Sequence, residues 1–127
     1  MAEKQSPIFA KTYDLMLWLI PTLTGFPKDQ RFRLAARLEE SIFRFYDHLL
    51  MAARSRDKRM HLTQADLELE RLRTFLRLAQ DLHFVTFKQY EYASRLVTEV
   101  GKLLGGWQKS LSASAVDPQA TERGGGR

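Results

Sequence analysis

Leu34, Leu38, Ile42, Phe45, Leu49 and Ala52 recur every three or four residues, a spacing that only a helix can bury along one side. A strand would scatter them over both faces. The stretch predicts a helix from Asp29 to about Ser55, and it sets the class of the whole chain. Three further segments carry the same period. The first predicted helix runs from Ser6, read as an N-cap with Pro7 behind it, to Thr24, with Gly25 and Pro27 as terminators. Pro21 lies inside it, where the missing amide predicts a kink.

After the second helix, Arg54-Ser55-Arg56-Asp57-Lys58-Arg59 reads as a charged loop. Thr63 followed by Asp66 looks like a cap opening the third helix, with Leu69, Leu72, Leu76, Ala79 and His83 on one side. Thr86 followed by Gln89 forms a second capping box and opens the fourth helix, which is expected to reach Leu111. Links this short force neighbours to be antiparallel. The expectation is therefore an all-α, up-down-up-down four-helix bundle over residues 1–111, with residues 112–127 as a disordered tail.

The first helix has more apolar surface than a lone bundle needs. Met16, Leu17, Trp18, Leu19 and Ile20 point all round it and leave no face for water. Phe43, Tyr46 and Leu50 lie beside the core stripe of the second. An exposed patch of that extent marks an interface, so a homo-oligomer is expected. Gly101 and Gly105 point the same way. Each costs a helix roughly 1 kcal/mol relative to alanine. A bare ridge of this kind predicts the close approach of another helix, with Leu103, Leu104 and Trp107 packed around it.

Little in the chain suggests chemistry. It has no cysteine, which excludes disulfides, thiolate nucleophiles and cysteine-ligated zinc. His48, His61 and His83 stand far apart, and the residues three before them are Phe45, Lys58 and Gln80, so the Glu-x-x-His pattern of di-metal bundles is absent. Glu39 and Glu40 are adjacent and diverge around a helix. Gly101-Lys102 is no phosphate loop: no strand precedes it and no Ser or Thr follows the lysine. Neither an enzyme nor a cofactor or metal is expected. The longest apolar run, Leu15 to Ile20, is too short to span a bilayer. Met1 to Pro7 lacks the pattern of a signal peptide, so a soluble cytoplasmic protein is expected.

Charge is the remaining signal. The net charge is +5, and the excess lies on the second and fourth helices and on the loop after the second. Lys88, Arg95, Lys102 and Lys109 recur every seven residues, a slowly drifting line on one side of the fourth helix. Arg33, Arg37 and Arg44 share a face of the second, and Arg56, Lys58 and Arg59 crowd the loop. These ten are candidate phosphate contacts. Arg73 and Arg77 stack one turn apart on the third helix. The bland reading is intrahelical pairing: Glu70 with Arg73, Asp81 with Arg77, and Glu99 with Arg95 or Lys102.

Taken in order, several pieces resemble the accessory variability determinant proteins of diversity-generating retroelements. They are Tyr13-Asp14 with the apolar run through Trp18 to Pro21, Phe26-Pro27 with Arg31-Phe32, Asp66 followed by Leu72-Arg73 and Leu76-Arg77, and Glu99 to Trp107. The resemblance covers residues 11–111. That group belongs to a broader set of four-helix-bundle proteins that includes those encoded in intervening sequences of ribosomal RNA genes. It implies a homopentameric barrel with a basic surface, which binds the retroelement's reverse transcriptase and RNA or DNA during mutagenic retrohoming and catalyses nothing itself. It also implies that Arg73 and Arg77 contact the polymerase and that Lys102 is a basic position within the glycine motif. Trp18, Gly101, Gly105 and Trp107 are the expected packing and assembly residues. The alternative is an interaction protein of the intervening-sequence type that acts without a polymerase.

Overall fold

The computed structural model describes residues 2–115, with side chains from residue 7 to residue 113. These residues are all helical, with no strand among them: α1 is Ala2–Leu23, α2 Ala36–Arg54, α3 Lys58–Asp81 and α4 Phe87–Ala115. α1 and α3 each pack against both α2 and α4, so α2 and α4 sit on a diagonal of the bundle. Leu15 and Leu19 of α1, Ile42 and Phe45 of α2, Leu69 and Leu72 of α3, and Val97 and Leu104 of α4 meet in one buried core. The helical stripes read from the sequence are the core-facing stripes of the structure. No helix among the described residues is long and apolar enough to cross a membrane.

The ends of the helices depart from expectation in informative ways. α1 begins at Ala2, so Ser6 is not its N-cap and Pro7 lies inside the helix. Ala2, Glu3, Lys4 and Gln5 are all good helix formers, which extends the helix beyond the proline. At the other end Pro21 stays within the helix. The chain then tightens, with the Thr24 amide donating to the Pro21 carbonyl at 3.2 Å and the Gly25 amide to that of Thr22 at 3.0 Å. The Thr22 hydroxyl donates to the Trp18 carbonyl at 2.8 Å.

The second helix does not run uniformly from Asp29. A 3-10 turn over Lys28–Gln30 and a π turn over Arg31–Ala35 precede α2. A π turn holds an extra residue, and here two consecutive residues, Leu34 and Ala35, are both buried.

The charged loop is shorter than expected. α3 starts at Lys58, not near Thr63, because Asp57 caps it: its Oδ1 accepts the Met60 amide at 3.4 Å. Ser55 Oγ accepts the Asp57 amide at 3.0 Å. Lys58 folds back and donates from Nζ to the Ala52 carbonyl at 2.9 Å, closing the end of α2. A cation on exposed carbonyls at a helix C-terminus is favourable. Thr63 and Asp66 are interior residues of α3.

Between α3 and α4 the capping box forms as read. The Thr86 amide donates to Gln89 Oε1 at 2.9 Å, and the Gln89 amide to Thr86 Oγ1 at 3.0 Å. Before it, α3 ends in a Schellman turn. The Phe84 amide donates to the Ala79 carbonyl at 2.8 Å and the His83 amide to that of Gln80 at 3.0 Å. His83 therefore leaves the apolar side of α3 and sits exposed at φ 65°. A left-handed conformation costs a non-glycine residue roughly 1–2 kcal/mol. His83→Gly is expected to stabilise the fold by about 1 kcal/mol, a rise of a few degrees in Tm by calorimetry. α4 runs to Ala115, so residues 112–115 extend the helix instead of opening a tail. The rest of the expected tail, residues 116–127, lies outside the described residues.

Candidate partner and nucleic-acid interface

Arg73 and Arg77 lie on the side of α3 that faces α4, one turn apart. Arg73 lines a groove between the two helices together with Leu76, Tyr90, Ser94, Val97 and Thr98. Its Nη1 donates to Glu70 Oε1 at 3.1 Å, so the intrahelical pair allowed by the spacing does form. Arg77 is looser, with Nε 4.0 Å from Asp81 Oδ2 and a side chain that is 76% exposed. Exposed pairs of this kind are worth at most about 1 kcal/mol and break readily for a better partner.

Gly101 has a different role from the one its spacing suggests. A Cβ placed there would lie 2.6 Å from Arg73 Nη2 and 3.5 Å from Leu69 Cδ2. The missing side chain admits an arginine of α3, not the backbone of another helix. A Cβ at Gly105 or Gly106 would meet nothing within 4 Å among the described residues, and Gly106 borders a groove whose other wall is Pro7 and Ile8 of α1. Trp107 is half-buried against the core, and Trp18 packs on Tyr92 of α4 with ring centroids 5.4 Å apart. Both tryptophans are occupied in joining helices within one protomer.

The stripes of positive charge are not equivalent. On α4, Lys88, Arg95, Lys102 and Lys109 are all exposed, and none makes an ion pair among the described residues. Glu99, the expected partner of Arg95 or Lys102, reaches instead to Lys11 of α1 at 3.3 Å. Arg95 lies over the Tyr92 ring at 5.7 Å. On α2, by contrast, Glu40 takes both Arg37, at 3.6 Å, and Arg44, at 2.8 Å. Arg37 also covers Phe75 at 5.2 Å. Arg33 and Arg56 are exposed, whereas Lys58 is committed to the end of α2 and Arg59 donates to the Leu111 carbonyl at 3.4 Å. Because α2 and α4 are diagonal, one protomer cannot turn both stripes to the same strand. The α4 stripe is the free one.

Apolar surface is left over on the other side. Of the crowded run on α1, Leu19 is buried, Met16, Trp18 and Ile20 are half-buried, and only Leu17 is exposed, at 61%. The run is thus largely absorbed by the protomer, but Tyr13 joins Leu17 on the outer side of α1. Phe43 and Leu50 are exposed on α2. Phe9 meets Tyr46 edge to face at 6.2 Å across the seam between the two helices, while Leu17 borders a groove against Tyr92, Arg95 and Leu96 of α4.

The hairpin of α2 and α3 also joins residues that sequence distance kept apart. His48 and His61 come to 6.1 Å between ring centroids, each with a buried Nδ1 that has no hydrogen-bond partner among the described residues. Glu68, buried, accepts Arg71 Nη1 at 2.7 Å on the same helix. The i,i+3 spacing of Glu68 and Arg71 is visible in the sequence; its burial is not. The described residues contain no group of three His, Cys, Asp or Glu side chains placed to hold a metal ion.

Residues 7–111, nearly the whole of the described chain, match the model of a protein family described as bAvd-like. No curated protein matches the chain.

Proposed function

We propose, since this chain belongs to the bAvd-like family, that it is a non-catalytic accessory protein of a diversity-generating retroelement that holds the reverse transcriptase against its RNA or DNA template. Membership gives the accessory role at the level of the family; the partner and the contacts are our reading. Arg73 and Arg77 bind the polymerase, the α4 stripe of Lys88, Arg95, Lys102 and Lys109 binds phosphates, and copies of the protomer close into a pentameric ring through the apolar face of α1 and α2. The protein acts in the cytoplasm, where such a template would be copied.

The observation that carries this reading is the unequal state of the cations. Surface arginines that serve only stability are expected to sit in ion pairs, as Arg37 and Arg44 do in sharing Glu40. Four cations in line on α4 have no such pair, and Arg77 is barely held by Asp81. Unpaired positive charge in register attracts a polyanion, and arginine's planar fork suits bidentate capture of a carboxylate or phosphate.

The test is co-purification of the tagged protein with the reverse transcriptase encoded beside it. Replacing Arg73 and Arg77 with alanine is expected to weaken that association by at least tenfold. Folding and oligomer size should persist, because only exposed pairs are lost. Association at the wild-type level would refute the assignment. The absence of any neighbouring reverse transcriptase gene would favour an interaction protein of the intervening-sequence type.

A further inference from the structure

We infer that Gly101 is a positioning residue for partner binding: its missing side chain seats the Arg73 guanidinium across α4 and so fixes the direction in which that group is presented. The inference rests on the assignment of Arg73 to the polymerase contact. The geometry has three parts. Arg73 is held from one end by Glu70, whose Oε1 accepts Nη1 at 3.1 Å. Its other nitrogen, Nη2, occupies the space over Gly101, where a Cβ would stand 2.6 Å away. Real Cβ atoms do not tolerate that distance, so any other residue at 101 would push the guanidinium out of its seat.

The remaining surroundings are permissive. Leu69 Cδ2 would lie 3.5 Å from the added atom, an ordinary contact, so the core beneath would not be disturbed. The clash is with the far end of a flexible side chain, which can swing into solvent. The substitution therefore changes where Arg73 points and little else.

This placement also explains why a helix former is absent there. Glycine in the middle of α4 is intrinsically unfavourable, and a Cβ at Gly105 or Gly106 would meet nothing among the described residues, so the same reason does not apply there. At Gly101 the reason is a specific cation from the neighbouring helix. A guanidinium confined over a glycine and steadied by one ion pair loses less freedom on meeting a carboxylate than one that is free to rotate, and that difference appears as affinity.

The test compares Gly101→Ala, Arg73→Ala and the double variant in the assembled, full-length protein, measuring Tm and affinity for the purified reverse transcriptase. Gly101→Ala is expected to leave Tm unchanged or raised, since alanine is the better helix former, and to lower affinity about fivefold to tenfold. In the Arg73→Ala background it should lower affinity no further. The Nε–H resonance of Arg73, identified by its loss in Arg73→Ala, should move in Gly101→Ala while that of Arg77 stays in place. An unmoved Arg73 resonance would overturn the seat. So would wild-type affinity of Gly101→Ala, or a further loss in the Arg73→Ala background, while Arg73→Ala alone is weak; in that case the Arg73 contact stands. A drop in Tm that persists in the Arg73→Ala background would show a packing role and likewise overturn it. Wild-type affinity of Arg73→Ala would overturn the polymerase contact itself, and this positioning role with it.

Discussion

Glutamate at both Leu17 and Phe43 is expected to convert the assembled protein into a folded monomer of 14.8 kDa. Leu17 of α1 is 61% exposed and Phe43 of α2 41%, so their replacement removes little from the core. Within an assembly they would be covered. Burying a large apolar side chain contributes about 1.5–3 kcal/mol, and an unpaired carboxylate forced into its place adds a desolvation cost of several kcal/mol. Two such changes per interface exceed about 6 kcal/mol, more than four orders of magnitude in association constant. Light scattering behind a sizing column at micromolar concentration reads the outcome directly, with circular dichroism to confirm the helices. A wild-type mass near that of one chain would reject the assembly. A double variant that keeps the wild-type mass would move the contact to another exposed surface, such as that around Phe32 ahead of α2, 89% exposed, or Phe87 on α4, 63% exposed.

The four helices were legible because each carries a complete local signal. The apolar stripe of α2 needs only a period, and Thr86 with Gln89 needs only three residues of spacing to form the box seen in the structure. The start of α3 was misread because two cap-like patterns compete within a few residues. Thr63 with Asp66 resembles a cap, but Asp57 wins, since starting there lets Lys58 close the end of α2 and leaves only a short link to connect the helices. That advantage belongs to the pair of helices and is invisible in either alone. The π turn ahead of α2 was hidden for the same reason. It answers to the burial of Leu34 and Ala35 together, not to any propensity of Arg31 to Ala35.

The candidate site was legible only as far as single helices define it. The line of cations on α4 and the one-turn spacing of Arg73 and Arg77 on α3 follow from the helical repeat alone. Whatever depends on register between helices was not. Glu99 pairs with Lys11 across to α1, His48 meets His61 across the hairpin, and Gly101 meets Arg73 across to α3. Each spacing along one helix offered a local partner or a different purpose, and the inter-helical contact replaced it. The glycine motif is the sharpest case. Its two glycines look alike in sequence, yet one is filled by an arginine and the other faces open space.

Binding of single-stranded RNA by the assembled protein is expected to weaken by about three orders of magnitude between 50 and 200 mM salt. Each phosphate neutralised on a single strand contributes about −0.7 to the slope of log affinity against log salt. A loss of that size requires several phosphates, more than the four cations of one α4 can supply. The steep slope therefore also reports that neighbouring copies present their stripes to the same strand. Lys102→Ala with Lys109→Ala should lower the magnitude of the slope by at least about 1.4, more where several copies contribute. Arg37→Ala with Arg44→Ala should change it far less, because Glu40 already offsets one of those two charges and α2 lies on the diagonal from α4. Lys58→Ala should leave the slope alone and lower Tm, as befits a residue that closes the end of a helix. A flat slope in the wild-type protein would make the α4 stripe an ordinary solvated face. Equal effects from the α2 and α4 pairs would overturn the separation of the two stripes and place the strand against both ends of that diagonal.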